Sequence, residues 1–375
     1  MRFRPLLLLP ALPLAAFLLA ACSGGTAPAD TARKIDAGRA VFFDESLSEP
    51  GGQSCASCHA PERGFTDPRP GPTSEGVVRR LFGFRNAPST SYAAFAPAFH
   101  WDGEAGTYVG GIFLDGRAAG LEAQAQGPPL NPIEMHNPDR ATYVAKVARA
   151  SYAGLFKEAF GPDIFQDEAR AFDAIAAAVA AFERSSEVSP FSSRYDEHLK
   201  GRSTLTAQER RGLALFEGRA GCAACHPSRT RPGGGAPLFT DFTYDNLGVP
   251  ANPENPFYRM PPSVNPAGAG FADEGLALNP RVIADGRAPQ SRGKFKVPTL
   301  RNLALTGPYM HNGVFTTLKE VVAFYNRRDR EPARFGPPEV PRNVNTRELG
   351  DLGLSERDEE DLVAFLLTLT DGYSR

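Results

Sequence analysis

Two five-residue segments carry the chemistry of this chain. Cys55-Ala56-Ser57-Cys58-His59 and Cys222-Ala223-Ala224-Cys225-His226 are both Cys-x-x-Cys-His. That spacing is the signature of c-type heme attachment. The two thiols add across the two vinyl groups of one porphyrin, and the histidine that follows lies under the ring with its imidazole on the iron. Zinc ribbons also use Cys-x-x-Cys pairs, but they hold them roughly 15–20 residues apart, and these pairs are much further separated. A redox Cys-x-x-Cys needs no histidine after each copy. The pattern predicts two covalent heme c groups, one on Cys55, Cys58 and His59 and one on Cys222, Cys225 and His226.

Of the five cysteines only Cys22 remains. Arg2 and Arg4 precede an apolar run from Leu6 to Leu19 that Pro10 and Pro13 interrupt. Residues 1–21 read as a secretory signal, too short and too proline-broken for a membrane span. Leu19-Ala20-Ala21-Cys22 has the form of a bacterial lipoprotein box, which makes Cys22 a candidate lipidation site. Ordinary cleavage beside an incidental cysteine is the alternative. Residues 22–32 read as a tether. The expected location is the periplasm, where heme c is attached, with membrane contact only through the lipid. A formal net charge of −2 with mixed signs along the chain argues against a nucleic-acid partner.

The elements that must position the two motifs are mostly helical. Gly38-Arg39-Ala40-Val41-Phe42-Phe43 precedes the first motif and Gly212-Leu213-Ala214-Leu215-Phe216 the second, which marks an internal duplication. Thr206-x-x-Glu209 is a capping box opening the second of these segments. Asn137-Pro138 reads as a cap and first-turn proline ahead of Tyr143, Val144 and Val147. Phe172, Ile175, Val179 and Phe182 recur at helical spacing. Ser355-x-x-Asp358 opens a last helix carrying Leu362, Phe365, Leu366 and Leu369. No strand pattern is sustained, and 20 of residues 227–293 are Gly or Pro, so that stretch is loop. The expected fold is mostly α, with two cytochrome c-like domains over residues 33–200 and 201–375, each holding one heme c, joined and wrapped by long Gly/Pro-rich loops.

Further segments resemble the bacterial diheme peroxidases of the cytochrome c peroxidase and MauG type. They are Arg85-Asn86-Ala87-Pro88-Ser89, Asp115-Gly116-Arg117-Ala118, Leu130-Asn131-Pro132-Ile133-Glu134-Met135, Phe295-Lys296-Val297-Pro298-Thr299-Leu300-Arg301-Asn302 and Thr306-Gly307-Pro308-Tyr309-Met310-His311-Asn312-Gly313. They span most of the mature chain in the family's order. The resemblance implies that the first heme meets peroxide while the second holds or relays electrons. It places Glu134 at the acid–base position, Gln124 where an amide hydrogen-bonds over the iron, and Pro128 in the same pocket. Taken alone, Glu134 would be a solvated glutamate. Many family members carry a second histidine soon after the first motif, and Glu75 stands at that offset here. The first iron is therefore expected to be open at rest, unless His100 reaches it.

For the second heme the resemblance points to Tyr325, fourteen residues after His311, as the sixth ligand. The MauG-like branch, to which the methanobactin-operon diheme enzyme also belongs, has tyrosine there, and the classical peroxidases have methionine. Met310, Met260 and His311 are the other candidates. A calcium ion is implied on the Asn86 side chain and the carbonyls of Thr306 and Pro308, because oxygen ligands suit that cation. The chain departs from the family at Leu114, where a tryptophan usually lies between the hemes, and at Ala220, where MauG has a tryptophan ahead of its second motif. The only tryptophan, Trp101, is a possible electron relay or a packing residue. Arg281, Arg287, Arg292, Lys294, Lys296 and Arg301 form a basic run able to meet heme propionates, an acidic partner or only solvent.

The implied activity is a periplasmic peroxidase-like oxidoreductase that takes hydrogen peroxide and oxidises a residue of a partner protein. The alternatives are a cytochrome c peroxidase fed by a small redox protein, and a non-enzymatic diheme electron carrier.

Overall fold

The computed structural model describes residues 29–69, 71–231 and 233–374. The signal segment and Cys22 lie outside them. Helix α1 (Ala29–Phe43), α2 (Leu121–Ala125), α3 (Arg140–Arg149), α4 (Ala153–Phe160) and α5 (Glu168–Glu183) build the first half. The second half contains α6 (Arg194–Leu199), α7 (Ala207–Glu217), α8 (Pro280–Ala284), α9 (Ala288–Ser291), α10 (Leu318–Arg327), α11 (Pro332–Phe335) and α12 (Glu356–Leu367). Strand content is slight. Strand β1 (His100–Asp102) pairs antiparallel with β2 (Thr107–Val109), and β3 (Tyr244–Asp245) with β4 (Phe295–Lys296).

Each half has its own core. Val41, Phe42, Val147, Phe156, Ile175 and Phe182 are among the buried residues of the first, and Phe216, Phe239, Leu318, Leu362, Phe365 and Leu369 of the second. Tyr195 of α6 packs in the second core. The chain therefore crosses between cores ahead of α6, several residues before position 201. Helix α1 begins at Ala29, inside the stretch expected to be a tether.

Capping explains the helix boundaries. Thr206 and Ser355 accept from Glu209 N and Asp358 N in reciprocal capping boxes, as the sequence pattern predicts. The cap of α3 differs from expectation. Asp139, not Asn137, accepts from Thr142 N at 2.7 Å. Asn137 is occupied elsewhere, its amide nitrogen donating to the carbonyls of Leu47 and Pro129, each at 2.9 Å. Leu369 lies just past the end of α12 yet is fully buried.

The duplicated glycines mark the tightest point of each half. Helix α1 crosses α5 at Gly38, where a Cβ would lie 1.8 Å from the carbonyl oxygen of Ala178. Helix α7 crosses α12 at Gly212, where a Cβ would lie 1.9 Å from that of Asp361. Neither carbonyl can yield without parting the helices. Gly38→Ala and Gly212→Ala are each expected to cost about 3 kcal/mol or more. Gly154→Ala, in α4 with open space around its Cβ, is expected to raise stability by roughly 0.5–1 kcal/mol. Denaturant unfolding of the holoprotein measures all three.

Candidate functional site

The two Cys-x-x-Cys-His segments fold alike. Each forms a single 3-10 turn, Cys55–Ser57 and Cys222–Ala224, and none of the four cysteines is in a disulfide. His59 Nδ1 donates to the carbonyl of Phe65 at 3.2 Å, and His226 Nδ1 to that of Phe239 at 2.7 Å. Burial lowers the pKa of both imidazoles. Each ring is thus neutral, fixed in orientation, and left with Nε2 as its free nitrogen, which is the state a metal-ligating histidine needs.

The supports of the two rings also match. Phe65 (φ 60°) and Phe239 (φ 53°) are both left-handed, a conformation costing about 1–3 kcal/mol in a residue of this size. Ser89 Oγ donates to Gly64 O at 2.6 Å and Thr299 Oγ1 to Leu238 O at 2.7 Å. In each half a hydroxyl thus pins the residue before the strained phenylalanine. The carbonyls of Pro88 and Pro298 add to the field at the rings. The sequence carries a signal for this arrangement that motif reading missed: Phe-Thr-Asp follows each heme histidine, at 65–67 and 239–241, and Pro-Ser or Pro-Thr returns later in each half.

A cavity of about 360 Å³ opens beside the second motif. Cys222, Cys225, His226, Met310 and Tyr325 line it, with mostly leucine and valine around them. Its size, apolar walls and paired thiols fit a porphyrin attached through two thioethers. Burial pushes the Cys222 and Cys225 thiols up to about 12, so both are protonated until they react. The Tyr325 phenol is also pushed up by burial, with Cys222, Cys225 and Asp245 adding to the shift. Among the other ligand candidates, His311 Nε2 donates to Glu339 Oε2 at 2.9 Å, and its ring stacks on Phe295 at 3.9 Å. Met260 caps a short turn and is not part of the cavity wall.

Glu134 stands near the first motif, close enough to act on the Cys55 and Cys58 thiols. Burial raises its pKa, against Arg117 and the Asn131 side chain. Its turn is clamped by Val77 N on Glu134 O at 2.9 Å, and a Cβ at Gly76 would sit 2.2 Å from Ile133 O. Pro128 O accepts from Met135 N, tying Pro128 to the same loop, and Gln124 lies in α2 just before it. Glu75 is tied to its own turn through Arg80 N. His100 is exposed on the β1–β2 hairpin and bonded to Ala98 O at 2.8 Å. His136 and His198 bond to backbone carbonyls.

Asn86 and Pro308, from opposite halves, share the wall of a small cavity with Asp67, Thr73 and Ser74. Asn86 Nδ2 donates to Pro72 O at 3.1 Å, which leaves its carbonyl oxygen free to face that space. Thr73 Oγ1 is buried with no partner among the described residues. Thr306 meets Asn86 and Pro308 on the wall of the larger cavity.

Trp101 packs edge-on to Tyr108 at 5.0 Å under the Arg287 guanidinium at 3.7 Å, and is not part of the large cavity's wall. Leu114 is. The basic run does not act as one patch. Arg301 is fully buried on Asp196 at 2.8 Å, and Lys296 is buried on Gly111 O at 2.5 Å. Arg292 and Arg281 pair with Glu274 and Asp285.

Sequence reading gave no signal for Glu183, at the end of α5. It is 3% exposed, its Oε2 has no hydrogen-bond partner among the described residues, and it acts on Cys55.

Comparison with known proteins agrees with these features. The di-haem cytochrome c peroxidase family profile matches residues 32–204. The methylamine utilization protein MauG of Paracoccus denitrificans is 42% identical over 96% of this chain and 94% of its own. The crystal structure of the diheme peroxidase BthA from Burkholderia thailandensis superposes with a TM-score of 0.80 at 38% identity, covering 90% of this chain and 86% of that one. A MauG-like protein associated with microbial copper homeostasis gives a TM-score of 0.67 at 31% identity, over 96% of both chains.

Burial pushes the Glu183 carboxyl up to about 8, from 4.5 in the unfolded chain. Between those values the folded protein binds the proton and the unfolded chain does not. Stability from this group is therefore fully present below pH 4.5 and is lost as pH rises through 8, at up to about 1.4 kcal/mol per pH unit. Glu183→Gln is expected to flatten the decline in melting temperature between pH 5 and 8. An unchanged slope would count against a protonated Glu183.

Proposed function

The chain belongs to the di-haem cytochrome c peroxidase family, on its MauG-like branch, and on that premise we propose that it uses hydrogen peroxide to oxidise a residue of a partner protein. It is a diheme c-type peroxidase. When bound, the hemes supply the redox chemistry, which is reductive cleavage of the peroxide O–O bond and storage of the two oxidising equivalents released. Cys55, Cys58 and His59 would hold the first group; Cys222, Cys225, His226 and Tyr325 would hold the second.

The protein's part at the first site is to move a proton. A Glu134 carboxylate oxygen would take a proton from one oxygen of hydrogen peroxide and deliver it to the other, which departs as water. A carboxyl whose pKa burial has raised suits both halves of that transfer, and such help is worth roughly 10²–10⁴ in rate. Gln124 orients the peroxide through its amide, and Pro128 closes the pocket. His100, bonded to Ala98 O on the hairpin, would leave the position opposite His59 to peroxide. At the second site Tyr325 would hold the group through its phenolic oxygen, a hard donor that favours the oxidised state. The observation that carries this reading is Tyr325 in one cavity with Cys222, Cys225 and His226. A simple electron carrier has no use for a buried carboxyl near the other heme.

The chain works in the periplasm. No helix among the described residues is long and apolar enough to cross a membrane. Lipidation at Cys22 would be its one attachment to a bilayer. A calcium ion between the halves, on Asn86, Thr306 and Pro308, is part of the same proposal.

Optical and EPR spectra of the oxidised holoprotein, taken before and after one equivalent of peroxide with no reductant, test the reading. One high-spin heme that reacts at once is expected. In Glu134→Gln the reaction slows by roughly 10²–10⁴ with both hemes retained. Tyr325→Phe alters the low-spin signal and shortens the life of the oxidised protein. Two low-spin hemes, inert until reduced, would overturn it in favour of a cytochrome c peroxidase. Calcium has its own check: chelation is expected to lower the melting temperature, with recovery on adding Ca²⁺ but not Mg²⁺, and Asn86→Ala to abolish that response.

A further inference from the structure

Neither Leu114 nor Ala220 can carry an oxidising equivalent, so its way out of this protein must use other residues. Four aromatic rings run outward from a position next to, but not in, the wall of the second-heme cavity. Tyr244 lies in β3 directly before Asp245, which lines that cavity and acts on Tyr325. Phe99 meets Tyr244 edge-on at 6.0 Å and stacks flat on Tyr108 at 4.9 Å. Tyr108 meets Trp101 at 5.0 Å. The set is held in register by Tyr244 donating to Gly110 O at 2.6 Å, and Gly116 leaves room where a Cβ would lie 2.1 Å from the Tyr244 oxygen.

The rings are not equivalent. Oxidising a phenol at accessible potential requires a base to receive its proton. The Tyr244 hydroxyl faces a peptide carbonyl, which is no such base. Phe99 has no proton to give and can only mediate coupling. The Arg287 guanidinium over Trp101 at 3.7 Å opposes positive charge on the indole. Tyr108 alone faces a carboxylate: its hydroxyl donates to Asp285 Oδ2 at 2.8 Å, inside the range for proton transfer. Asp285 is held below the usual carboxylate range by that hydroxyl and by Arg281. The Tyr108 ring is buried, whereas the Asp285 side chain is 26% exposed.

We propose that Tyr108, with Asp285 as its proton acceptor, is the station through which oxidising equivalents leave the second-heme side of the molecule for the surface. This rests on the peroxidase reading for its oxidant. One electron passes from the Tyr108 phenol, through Phe99 and Tyr244, to the oxidised hemes, and the phenolic proton moves to Asp285. The resulting phenoxyl takes an electron from an oxidisable side chain of the partner protein and recovers its proton from Asp285. Two such cycles consume the two equivalents from one peroxide.

The test uses holoprotein carrying ring-deuterated tyrosine, mixed with one equivalent of peroxide, without reductant, and frozen. A tyrosyl EPR signal narrowed by deuteration is expected in the parent and in Trp101→Phe, and is absent from Tyr108→Phe. In Asp285→Asn the signal forms severalfold more slowly. Heme oxidation by peroxide in Tyr108→Phe should match the parent, and the oxidised state should persist longer. Normal heme oxidation with the radical unaffected by Tyr108→Phe would overturn this proposal and leave the peroxidase reading intact. No heme oxidation in the parent would overturn both.

Discussion

A histidine can hold a metal only while its ring is neutral and its orientation fixed, and both halves of this molecule are organised around meeting that condition. One peptide carbonyl, on Phe65 or Phe239, receives the Nδ1 proton of each ring. To aim that carbonyl the phenylalanine adopts a left-handed backbone, which the chain tolerates only because its surroundings over-determine it. Ser89 and Thr299 pin the preceding peptide, and the segments that carry them also carry Asn86 and Arg301. Loss of the carbonyl would release the ring and also the loops folded against it.

The same logic extends to how the halves are joined. Arg85 lies between Asp115 of the first half and Asp273 of the second, 2.6 Å from each, and is only 9% exposed. Burial alone would raise the Asp273 carboxyl, and Arg85 brings it below its ordinary range. Such a buried cluster contributes little net stability, because desolvation offsets attraction, but removing one member leaves an uncompensated charge costing about 3–5 kcal/mol. Its effect is therefore on register. It fixes Leu114, whose carbonyl accepts from Lys296 N at 2.8 Å, in the wall of the large cavity. Arg301 on Asp196, both fully buried, does the same between α6 and the loop leading to the second heme.

The two heme environments diverge within this shared frame. Near the first motif are ionisable side chains able to move or hold a proton, Glu134 and Glu183 among them. Around the second are Tyr325 and largely apolar walls, with Asp245 and Glu348 also lining the cavity. The difference follows from side chains, since the backbone that supports each histidine is nearly the same in both.

Much of this was legible in the sequence. The Cys-x-x-Cys-His segments, the glycine-led helices before them and the capping boxes at Thr206 and Ser355 are local patterns, and local patterns survive folding because neighbouring residues enforce them. The placement of Tyr325 beside the second motif could be reached only through resemblance, since about a hundred residues separate Tyr325 from His226 and no spacing rule spans such a distance. Asn137 was misread as a helix cap because its competing partners, Leu47 O and Pro129 O, come together only in the folded chain. The basic run before residue 301 was equally deceptive: charge is visible in sequence, but whether an arginine meets solvent or a buried aspartate depends on which segments the tertiary fold brings against it. The burial of Glu183 and the meeting of Tyr108 with Asp285 were likewise decided by packing between distant segments. The residues alone determined which prosthetic groups this protein can attach. Long-range burial decided which of its ionisable side chains face them, because a pKa and a hydrogen-bond partner are properties of surroundings that exist only after folding.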